Sequence, residues 1–273
     1  MTVEPRFQLI ATDVDGTLVD DDLNISQENL AAIARARAAG VKVTLITGRS
    51  HYFLDEVVQQ VHPDTAVISA GGACLSDPNT GELLDCRLLP LEAVADLIRI
   101  AREYETARFI SLLQRFYFET PPSLRSRFDY VFGHPIGIQL SDDVLSEELE
   151  DPIKVAIYCE ERAILEEIAG RALREVRGLT YTFPTPVFID VTAADASKGA
   201  ALRRLARREN IPLEQVLVLG DGNNDLTMFQ VAGCSVAMAN AVPELIEIAD
   251  HVAPSNNENG FAWALNRLLP SAD

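Results

Sequence analysis

Two aspartates, Asp13 and Asp15, come directly after an apolar run of the sequence that ends at Thr12. Side chains two residues apart on an extended segment point the same way, so both carboxylates can act on one group. Gly16 follows them and permits a sharp turn. Ligands of open α/β sheets bind at the carboxyl ends of the strands. The pattern therefore predicts a reactive pair of carboxylates at a sheet edge.

A second acidic cluster, residues 220–225 (Gly-Asp-Gly-Asn-Asn-Asp), also follows an apolar run directly. Its aspartates, Asp221 and Asp225, flank a glycine turn at the start of a predicted helix. One interpretation is helix capping, because Asp and Asn are preferred capping residues. The other is that two acidic clusters at the ends of parallel strands converge on one hard cation. Mg²⁺ suits such a site, since it takes one or two carboxylates and shares its remaining positions with water and phosphate.

Two basic side chains could complete a site for an anion. Arg49 ends the triplet Thr47-Gly48-Arg49, which follows an apolar run at 41–46, and Lys198 lies at a predicted helix start. A single lysine is most often a solvated surface residue. A cation is disfavoured at a helix N-terminus unless an anion lies nearby, however, and helix starts themselves attract phosphate.

The elements that must position these residues alternate in the first and last thirds of the chain. The apolar runs predict strands at 7–12, 41–46, 65–69, 216–219 and 235–238. Helical spacing of apolar residues predicts helices at 26–39, 53–61, 197–210, 225–232 and 257–269. Strands separated by helices imply parallel pairing with crossover helices, and so an α/β fold with a Rossmann-like parallel sheet.

The middle of the chain has a different pattern. Amphipathic helices are predicted at 91–104 and 161–176. Strand candidates occur in neighbouring runs rather than in alternation, at 107–113, 115–119, 137–140, 153–159, 181–183 and 187–191. This arrangement predicts a small α+β domain inserted into the α/β one.

Composition excludes several classes of protein. The 273 residues carry a formal charge of −18, which argues against nucleic acid or an anionic membrane as the main partner. No apolar run approaches the roughly 20 residues of a membrane-spanning helix, and the N-terminus lacks the pattern of a signal peptide. Four scattered cysteines without a CxxC pair suit a reducing cytoplasm, so a cytoplasmic location is expected.

Four motifs in order make the sequence resemble the haloacid dehalogenase (HAD) superfamily, in its Cof-type phosphatases of subfamily IIB. They are residues 13–17 (Asp-Val-Asp-Gly-Thr), 45–49 (Leu-Ile-Thr-Gly-Arg), 197–199 (Ser-Lys-Gly) and 220–225. The resemblance covers about 7–76 and 188–269. It implies a HAD-like catalytic core at 1–82 and 188–273, and an inserted α+β cap at 83–187 that sets substrate specificity.

The resemblance also implies roles for these residues. Asp13 would be the nucleophile that forms an aspartyl-phosphate, and Asp15 would protonate the leaving alcohol and then activate water. Mg²⁺ would bind Asp13, the backbone carbonyl of Asp15, and Asp221. Asp225 would hold the water shell of the metal or orient the catalytic Lys198.

The phosphoryl oxygens would be bound by residues from three of the motifs, namely Thr47, Gly48, Lys198 and Asn224. The sequence departs from the family at Gly71, where the family usually has an asparagine before the second glycine. Since none of the four motifs is touched, we interpret Gly71 as a change in substrate contacts.

Together these features predict a Mg²⁺-dependent phosphatase of small phosphomonoesters, such as a sugar phosphate or a similar phosphometabolite. One alternative is a phosphomutase of the same superfamily branch, which would return the phosphoryl group to the sugar. A third, from another class, is a phosphometabolite sensor without turnover, against which the nucleophile argues. The expected partner is a small phosphorylated metabolite, with no nucleic acid or membrane, and the expected assembly is a monomer or homodimer.

Overall fold

A computed structural model describes residues 6–128 and 138–269, and the chain divides into two compact units. The first, which we call the main unit, comprises Met1–Asp85 and Ser197–Asp273. The second, which we call the inserted unit, is Cys86–Ala196. The predicted insert at 83–187 shares most of its residues with the inserted unit. The strand that follows residue 187 belongs to that unit because it pairs with strands there.

Strands and helices follow one another along the described residues. The strands are β1 (Leu9–Thr12), β2 (Lys42–Leu45), β3 (Val67–Ser69), β4 (Cys74–Ser76), β5 (Leu83–Cys86), β6 (Ala107–Leu112), β7 (Phe116–Glu119), β8 (Gln139–Leu140), β9 (Pro152–Tyr158), β10 (Leu179–Thr185), β11 (Phe188–Ala193), β12 (Val216–Gly220), β13 (Cys234–Met238) and β14 (His251–Ala253). The α-helices are α1 (Gln27–Ala38), α2 (Asp55–Val61), α3 (Leu91–Arg102), α4 (Arg162–Glu175), α5 (Lys198–Glu209), α6 (Leu226–Phe229), α7 (Pro243–Ile248) and α8 (Gly260–Leu268).

The main unit is built on a five-stranded parallel sheet with the order β14-β13-β12-β1-β2. The inner strand β1, which lies between β12 and β2, is buried along its whole length, as expected for a parallel strand covered on both faces. Ile10 of β1 packs with α1 and α8 on one face, while Leu9 and Ala11 pack with α5 and α6 on the other. The predicted α/β fold with a parallel sheet is thus confirmed.

The inserted unit has a six-stranded sheet with the order β10-β11-β9-β6-β7-β8. Its neighbours pair antiparallel, except that β7 and β8 are parallel. Helices α3 and α4 contribute to one hydrophobic cluster with apolar residues of this sheet. The predicted α+β character of the insert is confirmed, although residue 137 of the strand predicted at 137–140 lies outside the described residues.

Some predicted element bounds were wrong. The helix expected at 225–232 is the short α6, and the last helix begins at Gly260 because a 3-10 turn, Asn256–Glu258, precedes it. Sequence patterns also missed β4, β5, α7 and β14. Three of these are strands of three or four residues, too short to show a period. The fourth, α7, carries a recognisable signal in Pro243 at its first position. Within the described ranges, no helix is both long and apolar enough to cross a membrane.

The turn after β3 joins two segments that carry motif residues. The backbone N–H groups of Ala70 and Gly71 donate to the carbonyls of Arg49 (2.7 Å) and Thr47 (3.0 Å). Gly72 has φ +106°, and a Cβ built on it would lie 2.3 Å from the carbonyl oxygen of Ser197. Only a glycine allows this approach to the start of α5.

Gly72→Ala should therefore lower the free energy of unfolding by at least about 3 kcal/mol, through backbone strain and an overpacked contact. Gly71→Ala is the matched control. Its φ is also positive, at +67°, but a Cβ there meets nothing within 4 Å. We expect it to cost only about 1–2 kcal/mol. Urea unfolding of both variants measures the difference, and equal losses would mean that the approach to Ser197 has no energetic weight.

Candidate active site

Adjacent parallel strands bring the first and last motifs together. Thr12 of β1 pairs with Leu219 of β12, and the backbone N–H of Asp13 donates to the carbonyl of Leu219 at 2.9 Å. Asp13 and Asp221 therefore leave the sheet at the same edge. The Asp13 carboxylate is buried, and its Oδ1 accepts a hydrogen bond from the backbone N–H of Val14 at 2.7 Å.

Lys198 reaches this cluster from the first position of α5, and its side chain is fully buried. The helix is capped by the Ser197 hydroxyl, which accepts from the N–H of Ala200. The Lys198 Nζ lies 2.8 Å from Asp13 Oδ2 and 2.6 Å from Asp225 Oδ1. The anion that the sequence required near this lysine is thus supplied by two carboxylates.

Asp225 has both of its carboxylate oxygens engaged within the protein. Oδ1 pairs with Lys198, while Oδ2 accepts from the backbone N–H groups of Asp221 (3.0 Å) and Gly222 (2.9 Å). The geometry therefore combines two of the expected arrangements, since one oxygen caps the turn and the other orients the lysine.

Asp221 is held by two residues of the first motif. The Thr17 hydroxyl donates to Asp221 Oδ1 at 2.7 Å. Gly16 has φ +70°, and a Cβ on it would lie 2.3 Å from Asp221 Oδ2. Glycine is therefore needed both for the turn and for the close approach of the Asp221 carboxylate. Thr17 had no predicted role in the site. Its signal was the polar side chain at a fixed offset from the aspartate pair.

The electrostatics of the cluster favour a cation. Oxygens of Asp13, Asp221 and Asp225 lie within 4.8 Å of one another. Burial, and then the charge of Asp225, raises the pKa of Asp13 well above its ordinary value despite the opposing charge of Lys198. The same two causes raise the pKa of Asp221 to about 6. For Lys198, burial acts to lower the pKa, but Asp13 and Asp225 outweigh it and the pKa is raised.

The cluster contains three carboxylates and one lysine, so it has an excess of negative charge that a second cation would offset. An all-oxygen set of donors suits a hard divalent cation. The residues present therefore fit a metal ion next to Asp13 and Asp221.

The second motif lies beside the last one. Thr47 is fully buried, and its hydroxyl accepts from the N–H of Arg49 at 3.1 Å. A Cβ on Gly48 would lie 3.4 Å from the side-chain nitrogen of Asn224. The structure thus brings Gly48 and Asn224 close together, as predicted residues of one phosphate site would be.

The Asp15 side chain is not one of the three clustered carboxylates. It is half exposed and pairs with Arg49, whose Nε lies 2.8 Å from Oδ2 and whose Nη2 lies 2.5 Å from Oδ1. Arg49 was a candidate for anion binding, and in this structure the anion that it binds is Asp15. The first motif therefore has one buried carboxylate beside a lysine and one half-exposed carboxylate beside an arginine.

The chain is similar to known proteins over most of its length. The family described as haloacid dehalogenase-like hydrolase matches residues 10–265. The chain is 33% identical to YxeH of Bacillus subtilis (strain 168), covering 96% of this chain and 98% of YxeH. It is 30% identical to the 5-amino-6-(5-phospho-D-ribitylamino)uracil phosphatase YcsE of the same organism, covering 96% of each. A solved haloacid dehalogenase-like hydrolase from B. subtilis superposes with a TM-score of 0.85 at 28% identity, over 96% of this chain and all of that one.

The burial of Lys198 gives a prediction about stability. Lys198→Met should lower the free energy of unfolding by about 3–5 kcal/mol in EDTA, because it leaves buried carboxylates without their cation. The control is Lys42→Met, since Lys42 pairs with Glu209 at 2.7 Å but is 45% exposed. That change should cost at most about 1 kcal/mol. Urea unfolding compares the two, and a loss for Lys198→Met no larger than the control would contradict this account.

Proposed function

The chain belongs to the haloacid dehalogenase-like hydrolases and is a phosphatase, and on that basis we propose that it hydrolyses small phosphomonoesters through an aspartyl-phosphate on Asp13. The observation that carries the proposal is the buried group of Asp13, Lys198 and Asp225 beside Asp221. A nucleophilic carboxylate needs nearby positive charge to approach a phosphate dianion. Lys198 supplies one such charge at 2.8 Å.

The proposed reaction has two steps, formation of the aspartyl-phosphate and its hydrolysis. An Asp13 carboxylate oxygen attacks phosphorus, the bond from phosphorus to the leaving oxygen breaks, and the Asp15 carboxyl gives its proton to that oxygen. The Asp15 carboxylate then takes a proton from water as the water oxygen attacks the phosphorus. The bond between phosphorus and Asp13 breaks, which releases inorganic phosphate and restores both aspartates.

Mg²⁺ is the proposed cofactor, held by Asp13, the backbone carbonyl of Asp15, and Asp221. When bound, it would neutralise charge on the phosphoryl oxygens. Thr17 keeps the Asp221 carboxylate in place, and Asp225 keeps Lys198 directed at Asp13. These protein contacts position the reacting groups before the substrate binds. Such positioning supplies much of the rate enhancement in enzymatic phosphoryl transfer.

The phosphoryl oxygens are proposed to bind Thr47, Gly48, Asn224 and Lys198. The proximity of Gly48 to Asn224 supports this set. We propose that the inserted unit, whose architecture differs from that of the main unit, selects the alcohol part of the substrate. The cytoplasmic location and the monomeric or dimeric state stay predictions.

A phosphate-release screen separates this function from its two alternatives. The panel should hold sugar phosphates, a generic aryl phosphate and 5-amino-6-(5-phospho-D-ribitylamino)uracil, since YcsE is named for that compound. Mg²⁺-dependent release supports the phosphatase. A phosphosugar isomer formed without free phosphate would instead support the mutase, and binding without either product would support the sensor.

Replacement of the nucleophile tests the mechanism. Asp13→Asn keeps the shape of the side chain but removes the attacking anion, so turnover should fall by about three orders of magnitude or more. The control is Asp20→Asn, because Asp20 lies on the same connection and also accepts backbone N–H bonds, from Asp22 and Asn24. It should stay within about threefold of the parent, as a surface residue outside the catalytic set. Retention of more than a tenth of the rate by Asp13→Asn would rule out Asp13 as the nucleophile.

The two aspartates of the last motif should differ in their effect on metal dependence. Asp221→Asn should raise the Mg²⁺ concentration for half-maximal rate by more than about 100-fold if Asp221 binds the metal directly. Asp225→Asn should raise it by only about 10–100-fold, because its oxygens face Lys198 and the backbone. Asp96→Asn, on the surface of the inserted unit, serves as control. Equal losses that added Mg²⁺ does not relieve would show that both aspartates act only as structural caps.

A further inference from the structure

The ion pair between Arg49 and Asp15 is bidentate, and we call the two guanidinium nitrogens that form it the fork of Arg49. The guanidinium places Nε and Nη2 against the two separate oxygens of the carboxylate, at 2.8 and 2.5 Å. Paired contacts of this kind fix the plane of a carboxylate as well as its position. A half-exposed aspartate would otherwise rotate freely about its side-chain bonds.

The backbone of Arg49 is itself held on two sides. Its N–H donates to the Thr47 hydroxyl at 3.1 Å, and its carbonyl accepts from the N–H of Ala70 at 2.7 Å. The origin of the side chain is thus set by the turns after β2 and β3. The Arg49 side chain is about three-quarters buried, with an exposure of 23%, and this further limits its motion.

Two roles are open to such an arginine. It could bind the phosphoryl group, as its place beside Thr47 suggests, or it could act on the acid and base of the reaction. The contacts favour the second, since the fork is engaged with Asp15. Hydrogen bonds to Asp15 are also the largest cause of the raised pKa of Arg49.

We propose that Arg49 is a positioning residue that orients the Asp15 carboxyl group for proton transfer, and that it is not a ligand of the phosphoryl group. The inference rests on the proposed function, in which Asp15 gives a proton to the leaving oxygen and then takes one from water. A fork uses one lone pair of each carboxylate oxygen and leaves others for these transfers. It also stabilises the carboxylate that remains when the alcohol has been protonated.

The proposal predicts a dependence on the leaving group. An alkyl phosphate needs a proton on its leaving oxygen, whereas the 4-nitrophenolate released from 4-nitrophenyl phosphate is a stable anion and hardly needs one. Arg49→Met should therefore lower kcat/KM for a simple alkyl phosphate by about 100-fold, the lower end of the contribution of general acid catalysis. For 4-nitrophenyl phosphate the fall should be under about threefold, because this ester gains little from a general acid. This ratio reports the first step alone, up to departure of the leaving group.

The matched control is Arg37→Met in the same unit. Arg37 Nε contacts both oxygens of Asp64, at 3.0 and 2.8 Å, so a comparable ion pair is removed outside the four motifs. It should change kcat/KM for the two esters by the same small factor. Thermal unfolding of each variant shows that it is folded. If Arg49→Met is not folded, Arg49→Lys, which keeps the charge but not the fork, should show the same preference for the aryl ester.

A double-mutant cycle with Asp15→Asn tests whether Arg49 acts through Asp15. A purely structural role of Arg49 would give the same loss of kcat/KM whether or not Asp15 is present. If Arg49 acts through Asp15, adding Arg49→Met to Asp15→Asn should lower kcat/KM for the alkyl ester by no more than about twofold. A further fall as large as in the parent would overturn the inference, as would equal losses on both esters or no loss on either. In those cases the parent still turns over and Asp13→Asn does not, so the proposed function stands. If the parent itself releases no phosphate, the proposed function fails and the inference fails with it.

Discussion

The buried ammonium of Lys198 between Asp13 and Asp225 is the interaction on which the rest of the site depends. Removing an ion from water costs several kcal/mol unless partners replace the lost solvation. Lys198 is fully buried and has two carboxylates within 2.8 Å. The buried charges of the three groups therefore stabilise one another. This requires the elements that carry them to pack closely together.

The glycines show what that requirement demands of the backbone. Gly72 lies so close to Ser197 that a Cβ has no room, and this contact sets the start of α5 and thus the origin of Lys198. Gly16 is pressed against the Asp221 carboxylate in the same way. Because these close approaches hold the charged groups from several sides, the protein keeps three carboxylates together. Their burial, and then the charge of Asp225, raises the pKa of Asp13 and of Asp221.

Asp13 and Asp15 illustrate how two carboxylates in one motif come to differ. Asp13 is buried against a lysine, while Asp15 is half exposed and held by the fork of Arg49. Different surroundings give chemically identical groups different properties, which is how one site can hold both a nucleophile and an acid. The proposed division of roles follows that difference.

Local patterns in the sequence were enough to predict the main strands and the motif residues at their ends. The apolar runs before Asp13 and Asp221 predicted the parallel strands, and the motifs at their ends predicted the clustered residues, since strand periodicity and motif spacing are read within a few positions. Three-dimensional packing was needed to show that Arg49 faces Asp15 from 34 positions away, that Thr17 holds Asp221, and that Gly72 touches Ser197. It was also needed to show that β11 belongs to the inserted unit and that β4, β5 and β14 exist at all. These contacts depend on which segments pack together and how far each side chain reaches, and no local pattern of residues carries that information.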